Sequence, residues 1–179
     1  NSKGLIMKTE EIKSLIRDIY DFPKEGIIFR DITTLIKDPK GLKMSIDAVE
    51  EAVKDLDFDY VVAPDARGFV FGVPVSYNLG KGFIPIRKKG KLPGETYAKE
   101  YDLEYGTATI EMHKDALNPG DKVVIIDDLM ATGGTTKAMA DLLEEAGAKI
   151  VKIVCLVELE ALNGKEAVKD YDYEGIVKY

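Results

Sequence analysis

The sequence predicts an α/β domain, a twisted parallel sheet flanked by helices, on three observations. Four apolar runs of strand length, Tyr60–Ala63, Phe83–Ile86, Val123–Ile126 and Ile150–Val157, alternate with segments of helical periodicity. Strands alternating with helices mean parallel pairing through right-handed crossovers. Val123–Ile126 is apolar without a break, the pattern of a central strand covered on both faces. A chain of 179 residues, 45% hydrophobic and 32% charged, has the size and composition of one ordinary globular domain that buries its core without staples. No internal repeat, low-complexity tract or linker divides it.

Residues 1–6, NSKGLI, precede Met7, which suits an initiator, so they are expected to be a cloning remnant and the domain to run from residue 7 to 179. Ile12, Leu15, Ile16 and Ile19 mark an amphipathic helix with Thr9 as its cap. Asp38-Pro39 is a helix start, a cap followed by proline at the first position, and Met44, Ala48, Val49, Ala52, Val53 and Leu56 form its buried stripe. The strand Tyr60–Ala63 ends in Pro64-Asp65-Ala66-Arg67-Gly68, after which residues 69–79 read as a helix that tolerates Pro74 near its beginning. Phe83–Ile86 feeds a basic run. Residues 88–106 are polar and carry Gly90, Pro93, Gly94 and Gly106; a connection this long in a compact domain acts as a lid or binding loop. Thr107–Met112 alternates and can pair with part of that loop as an antiparallel ribbon. A further helix turns Met139, Leu142, Leu143 and Ala146 inward and stops at Gly147. Ile150–Val157 and Glu174–Val177 complete the sheet.

Several classes of function are excluded. A net charge of −7 opposes duplex nucleic acid, whose binding needs a basic face. No run reaches membrane-span length, and the N-terminal residues lack the basic-then-apolar pattern of a secretion signal. The single Cys155 lies inside IVKIVCLVEL, so it is expected as a buried strand thiol; no disulfide framework exists, and a cytoplasmic setting is expected.

The chemistry concentrates in VVIIDDLMATGGTT, Val123 to Thr136. Asp127 and Asp128 follow the apolar strand, at the end where ligands of open α/β sheets bind. Ala131, Thr132, Gly133, Gly134 and Thr135 can curl so that successive main-chain N–H groups and a helix N-terminus point at one anion, with threonine hydroxyls as further donors. Adjacent acids would repel that anion unless they hold something else, and ribose hydroxyls donate to carboxylates. The stretch reads as a pocket for a ribose 5-phosphate; the alternative is a surface turn with solvated acids before a helix cap. No lysine directly follows the glycines, which argues against a P-loop ATPase.

Other groups gain meaning beside it. Asp65 and Arg67 stand at the end of a neighbouring strand, where Arg67 either takes a phosphate in bidentate fashion or pairs on the surface with Asp65. Arg87 to Lys91 reads RKKGK, four bases in five residues; alone, such a run is a solvated face. Gly26 to Asp31 reads GIIFRD, either a flat apolar slot for a planar base or a core strand of an N-terminal subdomain. Tyr97 and Tyr101 are assigned to packing. His113, the only histidine, follows a strand at an exposed turn and receives no catalytic role.

The order of four apolar residues, two acids, two more residues and Ala-Thr-Gly-Gly-Thr resembles the sugar-phosphate binding motif of the type I phosphoribosyltransferases. DFPKEGIIFRDIT (Asp21 to Thr33), ARGFVFG (Ala66 to Gly72), RKKGKLPG and LEYG (Leu103 to Gly106) resemble the adenine branch of that family, in family order from about Asp21 to Glu158. The resemblance implies a Rossmann-like sheet with a small N-terminal hood at about 21–36 and a long flexible lid at about 88–112. It implies transfer of the phosphoribosyl group of phosphoribosyl diphosphate (PRPP) to adenine, with magnesium bound mainly through PRPP rather than by the chain, and a homodimer.

By the same resemblance Asp127 and Asp128 hold the ribose and residues 131–135 the 5-phosphate. Asp65, Ala66, Arg67, Arg87, Lys88 and Lys91 take the pyrophosphate, with a cis bond at Asp65–Ala66 and Arg67 counted as catalytic. Ile28, Phe29 and Arg30 surround adenine. Glu104 is the candidate proton-transfer group, beside the lid residue Tyr105. Hypoxanthine and guanine enzymes carry an Asp where Ala131 stands, which favours adenine. Other purine or orotate transferases and a non-catalytic PRPP-sensing regulator are the alternatives; the regulator lacks room here for an added nucleic-acid-binding domain.

Overall fold

In the computed structural model, which describes residues 2–103 and 106–179, the chain divides into units Asn1–Ala48 and Val49–Tyr179. The first unit opens with α1, Ser2–Leu15. Thr9 does not cap this helix: it lies inside, and its hydroxyl donates to the Leu5 and Ile6 carbonyls at 3.2 and 2.9 Å, a bond that competes with capping geometry. The strands β1, Arg17–Tyr20, and β2, Ile28–Asp31, form an antiparallel pair with Tyr20 opposite Ile28 and Arg17 opposite Asp31. Ile19, expected on the helix, is therefore on β1, because an apolar spacing of three or four residues fits a helix even where the chain has turned to period two.

The helices α2, Thr33–Lys37, and α3, Pro39–Glu51, follow. Asp38 caps α3 as expected, accepting the Gly41 N–H at 2.7 Å. The buried positions of α3 are Gly41, Ser45 and Val49, while Met44 and Ala48 are only half-buried and Ala52, Val53 and Leu56 lie past its end. Gly41 has no room for a side chain, since a Cβ there would stand 2.5 Å from the Leu35 carbonyl oxygen; backbone contact, not apolarity, sets that stripe.

The second unit is a seven-stranded sheet. Its elements are β3 (Tyr60–Pro64), α4 (Arg67–Leu79), β4 (Gly82–Lys88), β5 (Thr96–Asp102), β6 (Thr107–His113), β7 (Lys122–Met130), α5 (Gly134–Glu145), β8 (Lys149–Glu158) and β9 (Tyr173–Lys178). Two 3₁₀ turns, Glu160–Leu162 and Gly164–Val168, precede β9. The spatial order is β5-β6-β4-β3-β7-β8-β9. The five strands from β4 to β9 are mutually parallel, and the β5–β6 ribbon is added antiparallel at the β4 edge. Part of the expected lid is thus regular structure, with Thr96 opposite His113 and Asp102 opposite Thr107. Pro74 sits in mid-helix rather than near the beginning, because α4 starts at Arg67.

Alternation along the strands separates the two helical layers. Val62, Ile84, Ile86, Val123 and Ile125 share a cluster with Met139, Leu142 and Leu143 of α5. Val61 and Ala63 point the other way, under α4, where Gly72 permits contact: a Cβ there would lie 2.9 Å from that of Ala63. The helix α5 gives way at Gly147, whose φ of 86° is left-handed, as its sequence position predicts. Cys155 is a fully buried thiol, and burial raises its pKa. Among the described residues no helix is long and apolar enough to cross a membrane.

The chain leaves β3 for β4 on one side, while β7 flanks β3 on the other. That reversal opens a crevice beyond the carboxyl ends of β3 and β7.

Candidate active site

The strand β7 does not stop before its acids. Its ladder with β8 continues through Asp127 opposite Cys155 to Met130 opposite Glu158, so both carboxylates are anchored on a paired strand rather than on a turn. Asp127 and Asp128 are 7% and 8% exposed. Asp127 Oδ1 accepts the Asp128 main-chain N–H at 2.7 Å. Burial first, and the Asp128 carboxylate second, push the Asp127 pKa well above the usual carboxylate range. Space beside it is kept by Gly68, where a Cβ would come 2.7 Å from the Pro64 ring and 3.2 Å from Asp127 Oδ1.

Two arginines meet acids at the same strand ends. Arg67, the first residue of α4, donates from Nε to Asp128 Oδ2 at 2.6 Å, and Arg87 of β4 donates from Nε to Asp65 Oδ2 at 3.1 Å. Arg67 thus pairs with Asp128 on the neighbouring strand β7. The Asp65–Ala66 peptide bond is cis, as the resemblance implies. The two arginine side chains remain 54% and 38% exposed, leaving each able to meet an anion from solvent. Lys88 and Lys91 are exposed at the end of β4 and in the turn after it, where Gly90 adopts a φ of 86°.

The small-residue loop turns sharply into α5. Gly133 has a φ of 88° and precedes Gly134 and Thr135, the first residues of α5. The first intrahelical bond runs from the Lys137 N–H to the Gly133 carbonyl at 2.9 Å, so the earlier N–H groups of the turn have no partner four residues back. Behind the loop lies a residue that sequence reasoning missed. A Cβ on Gly164 would stand 2.3 Å from the Ala131 carbonyl oxygen, and one on Gly133 would stand 2.4 Å from the Gly164 carbonyl oxygen. Asn163-Gly164 is visible in the sequence as a turn signal, but nothing local says that this turn supports Ala131 to Gly133. Tyr101 was also missed as a site neighbour; its hydroxyl is 3.2 Å from Thr135 Oγ1.

In the other unit, Ile28, Phe29 and Arg30 share β2. Ile28 is exposed, the Phe29 ring meets Phe22 edge-on at 5.3 Å, and Arg30 Nη1 donates to Asp18 Oδ1 at 2.7 Å. His113 shares a 2.8 Å hydrogen bond between Nε2 and the Pro93 carbonyl. Glu104 and Tyr105 lie outside the described residues. Among the described residues, no three His, Cys, Asp or Glu side chains are grouped to hold a metal ion. The geometry brings together a glycine turn at the start of α5, a buried acid pair and two partly exposed arginines.

These features and a match to the family model of the phosphoribosyl transferase domain over residues 33–178 define the class: the chain belongs to the phosphoribosyltransferase family. Within it the chain is similar to the adenine phosphoribosyltransferase of Lachnoclostridium phytofermentans, 59% identical over 170 residues that cover 95% of this chain and 98% of that one. It superposes on the crystal structure of adenine phosphoribosyltransferase from Thermoanaerobacter pseudethanolicus with a TM-score of 0.92 and 50% identity, covering 96% and 99% of the two chains. The Saccharomyces cerevisiae enzyme, complexed with an imino-altritol bisphosphate and adenine, gives a TM-score of 0.90 at 35% identity, covering 96% and 99%.

Proposed function

We propose that this enzyme acts in purine salvage, transferring the 5-phosphoribosyl group of PRPP to adenine to give AMP and pyrophosphate. The carrying observation is the β7–α5 acid pair and glycine loop within a chain 59% identical to an adenine phosphoribosyltransferase over 95% of its length. A ring nitrogen of adenine forms a bond to the anomeric carbon as the bond to pyrophosphate breaks, and adenine gives up its ring proton. Such a displacement is served by positioning and by neutralising the departing group.

In this reading Asp127 and Asp128 accept the ribose hydroxyls, and the N–H groups and hydroxyls of residues 131–135 take the 5-phosphate. Arg67, Arg87, Lys88 and Lys91 meet the pyrophosphate, with Asp65 and Ala66 at its loop. Arg67 and Arg87 are each held by an aspartate, so substrate anions draw on guanidinium groups already aimed at the crevice. The reading assigns adenine to Ile28, Phe29 and Arg30, and its proton to Glu104 with Tyr105 beside it in the lid. Magnesium, which takes hard oxygen ligands and keeps waters, would neutralise the diphosphate when bound; the carboxylate donors present suit it, and among the described residues none are grouped into a cage for it. A homodimer, on the resemblance alone, and a cytoplasmic setting, on the single buried Cys155, complete the proposal.

With PRPP and magnesium, adenine is expected to be converted far faster than hypoxanthine, guanine or orotate, measured as AMP and pyrophosphate released. Equal use of hypoxanthine would refute the base assignment, and PRPP binding without turnover of any base would favour a sensor.

A further inference from the structure

Of the three tyrosines spaced through the lid, Tyr101 makes a contact that packing alone does not explain. It stands at the end of β5, half-buried against the α5 face of the core. A Cβ on Gly134 would lie 3.8 Å from its ring and 3.7 Å from the Asp102 carbonyl oxygen, so the end of the ribbon covers the first turn of α5. There the Thr135 hydroxyl donates to the Tyr101 oxygen at 3.2 Å.

We propose that Tyr101 is a positioning residue for the 5-phosphate of PRPP, acting through Thr135; the inference rests on the assignment of residues 131–135 to that phosphate. A phosphate monoester offers acceptors, so Thr135 must turn its proton toward it. A hydroxyl is both donor and acceptor, so Tyr101 then reverses its role and donates to Thr135 Oγ1. The resulting chain, tyrosine O–H to threonine O–H to phosphate oxygen, strengthens each bond by polarising the next. It also fixes the threonine rotamer before substrate arrives. Phenylalanine would keep the ring contact with the turn of α5 and lose both functions. The coupling is to one part of the substrate: the ribbon that leads into the lid meets the monoester, not the pyrophosphate or the base.

The experiment compares parent, Tyr101→Phe, Thr135→Ala, Thr135→Ser and the double variants by steady-state kinetics, with ribose 5-phosphate and pyrophosphate as separate inhibitors and thermal unfolding as the check on folding. For Tyr101→Phe the KM for PRPP and the inhibition constant of ribose 5-phosphate are expected to rise about fivefold, the loss of one hydrogen bond. The KM for adenine, the pyrophosphate constant and the unfolding temperature should stay put. Thr135→Ala should raise the same two constants and make Tyr101→Phe silent, whereas Thr135→Ser should restore the response. If Thr135→Ala weakens ribose 5-phosphate and Tyr101→Phe does not, Tyr101 only packs and the proposal falls while the loop assignment stands. If neither variant changes ribose 5-phosphate binding, the loop assignment fails and takes the proposal with it. Additive losses, or equal losses for pyrophosphate, would show that Tyr101 does not act through Thr135.

Discussion

Asp31 and Asp127 are both buried aspartates, 6% and 7% exposed, yet their surroundings push them in opposite directions. Asp31 accepts hydrogen bonds from the Thr33 main-chain N–H at 2.9 Å, from the Thr33 hydroxyl, and from the Arg17 guanidinium. Thr33 first, and Arg17 after it, hold its pKa down at about 2. Among the described residues Asp127 takes one hydrogen bond, from the Asp128 N–H, and burial beside a like charge drives its pKa up. The donors around Asp31 come from the protein, so that acid is spent on the fold. Among the described residues Asp127 has no such set of donors, and in the proposed reading ribose hydroxyls supply them.

The largest expected effect tests Asp127. Asp127→Asn should lower kcat/KM for PRPP on the order of 100-fold, the loss of charged hydrogen bonds to the sugar. Its unfolding temperature at pH 7 should rise by about 2 °C. The sign follows from linkage: the folded protein binds the Asp127 proton more tightly than the unfolded chain, so the cost of ionising it grows as pH rises above the unfolded value of about 4. The gain from Asn should therefore vanish in melts below about pH 4. A variant that loses stability and activity together would erase the contrast with Asp31.

A smaller effect concerns the cradle beside Asp127. Gly164→Ala places a methyl against the Ala131 carbonyl, where a Cβ would sit at 2.3 Å. Displacing the loop should raise the KM for PRPP roughly tenfold and lower stability by about 1–3 kcal/mol, read by kinetics and chemical denaturation. An unchanged KM would mean that Gly164 supports the fold but not the cradle.

The smallest kinetic effect is expected at Asp31. Asp31→Asn should cost about 1–2 kcal/mol at pH 7 and leave kcat/KM at 25 °C within about threefold of the parent. The depressed pKa makes this a contribution present above the unfolded value of about 4 and lost as pH falls through about 2. Parent and variant melts should therefore converge across that window. A catalytic loss larger than that of Asp127→Asn would invert the comparison.

The sequence by itself determined what depends on neighbours in the chain. Strand and helix periods, the Asp38-Pro39 start, the Gly147 stop and the ordered acids and glycines after Val123–Ile126 are local patterns, and the elements formed where those patterns lie. So was the resemblance that implied the cis Asp65–Ala66 bond, because it rests on residue order. Tertiary structure decided the rest: that Ile19 turns into a hairpin, that β7 runs on through its acids, that Arg67 pairs with Asp128, and that Gly164 and Tyr101 flank the glycine loop. Each of these is a contact or pairing between segments whose partners local propensity does not select. Their energy comes from pairing, burial and hydrogen bonding that exist only once the chain has folded.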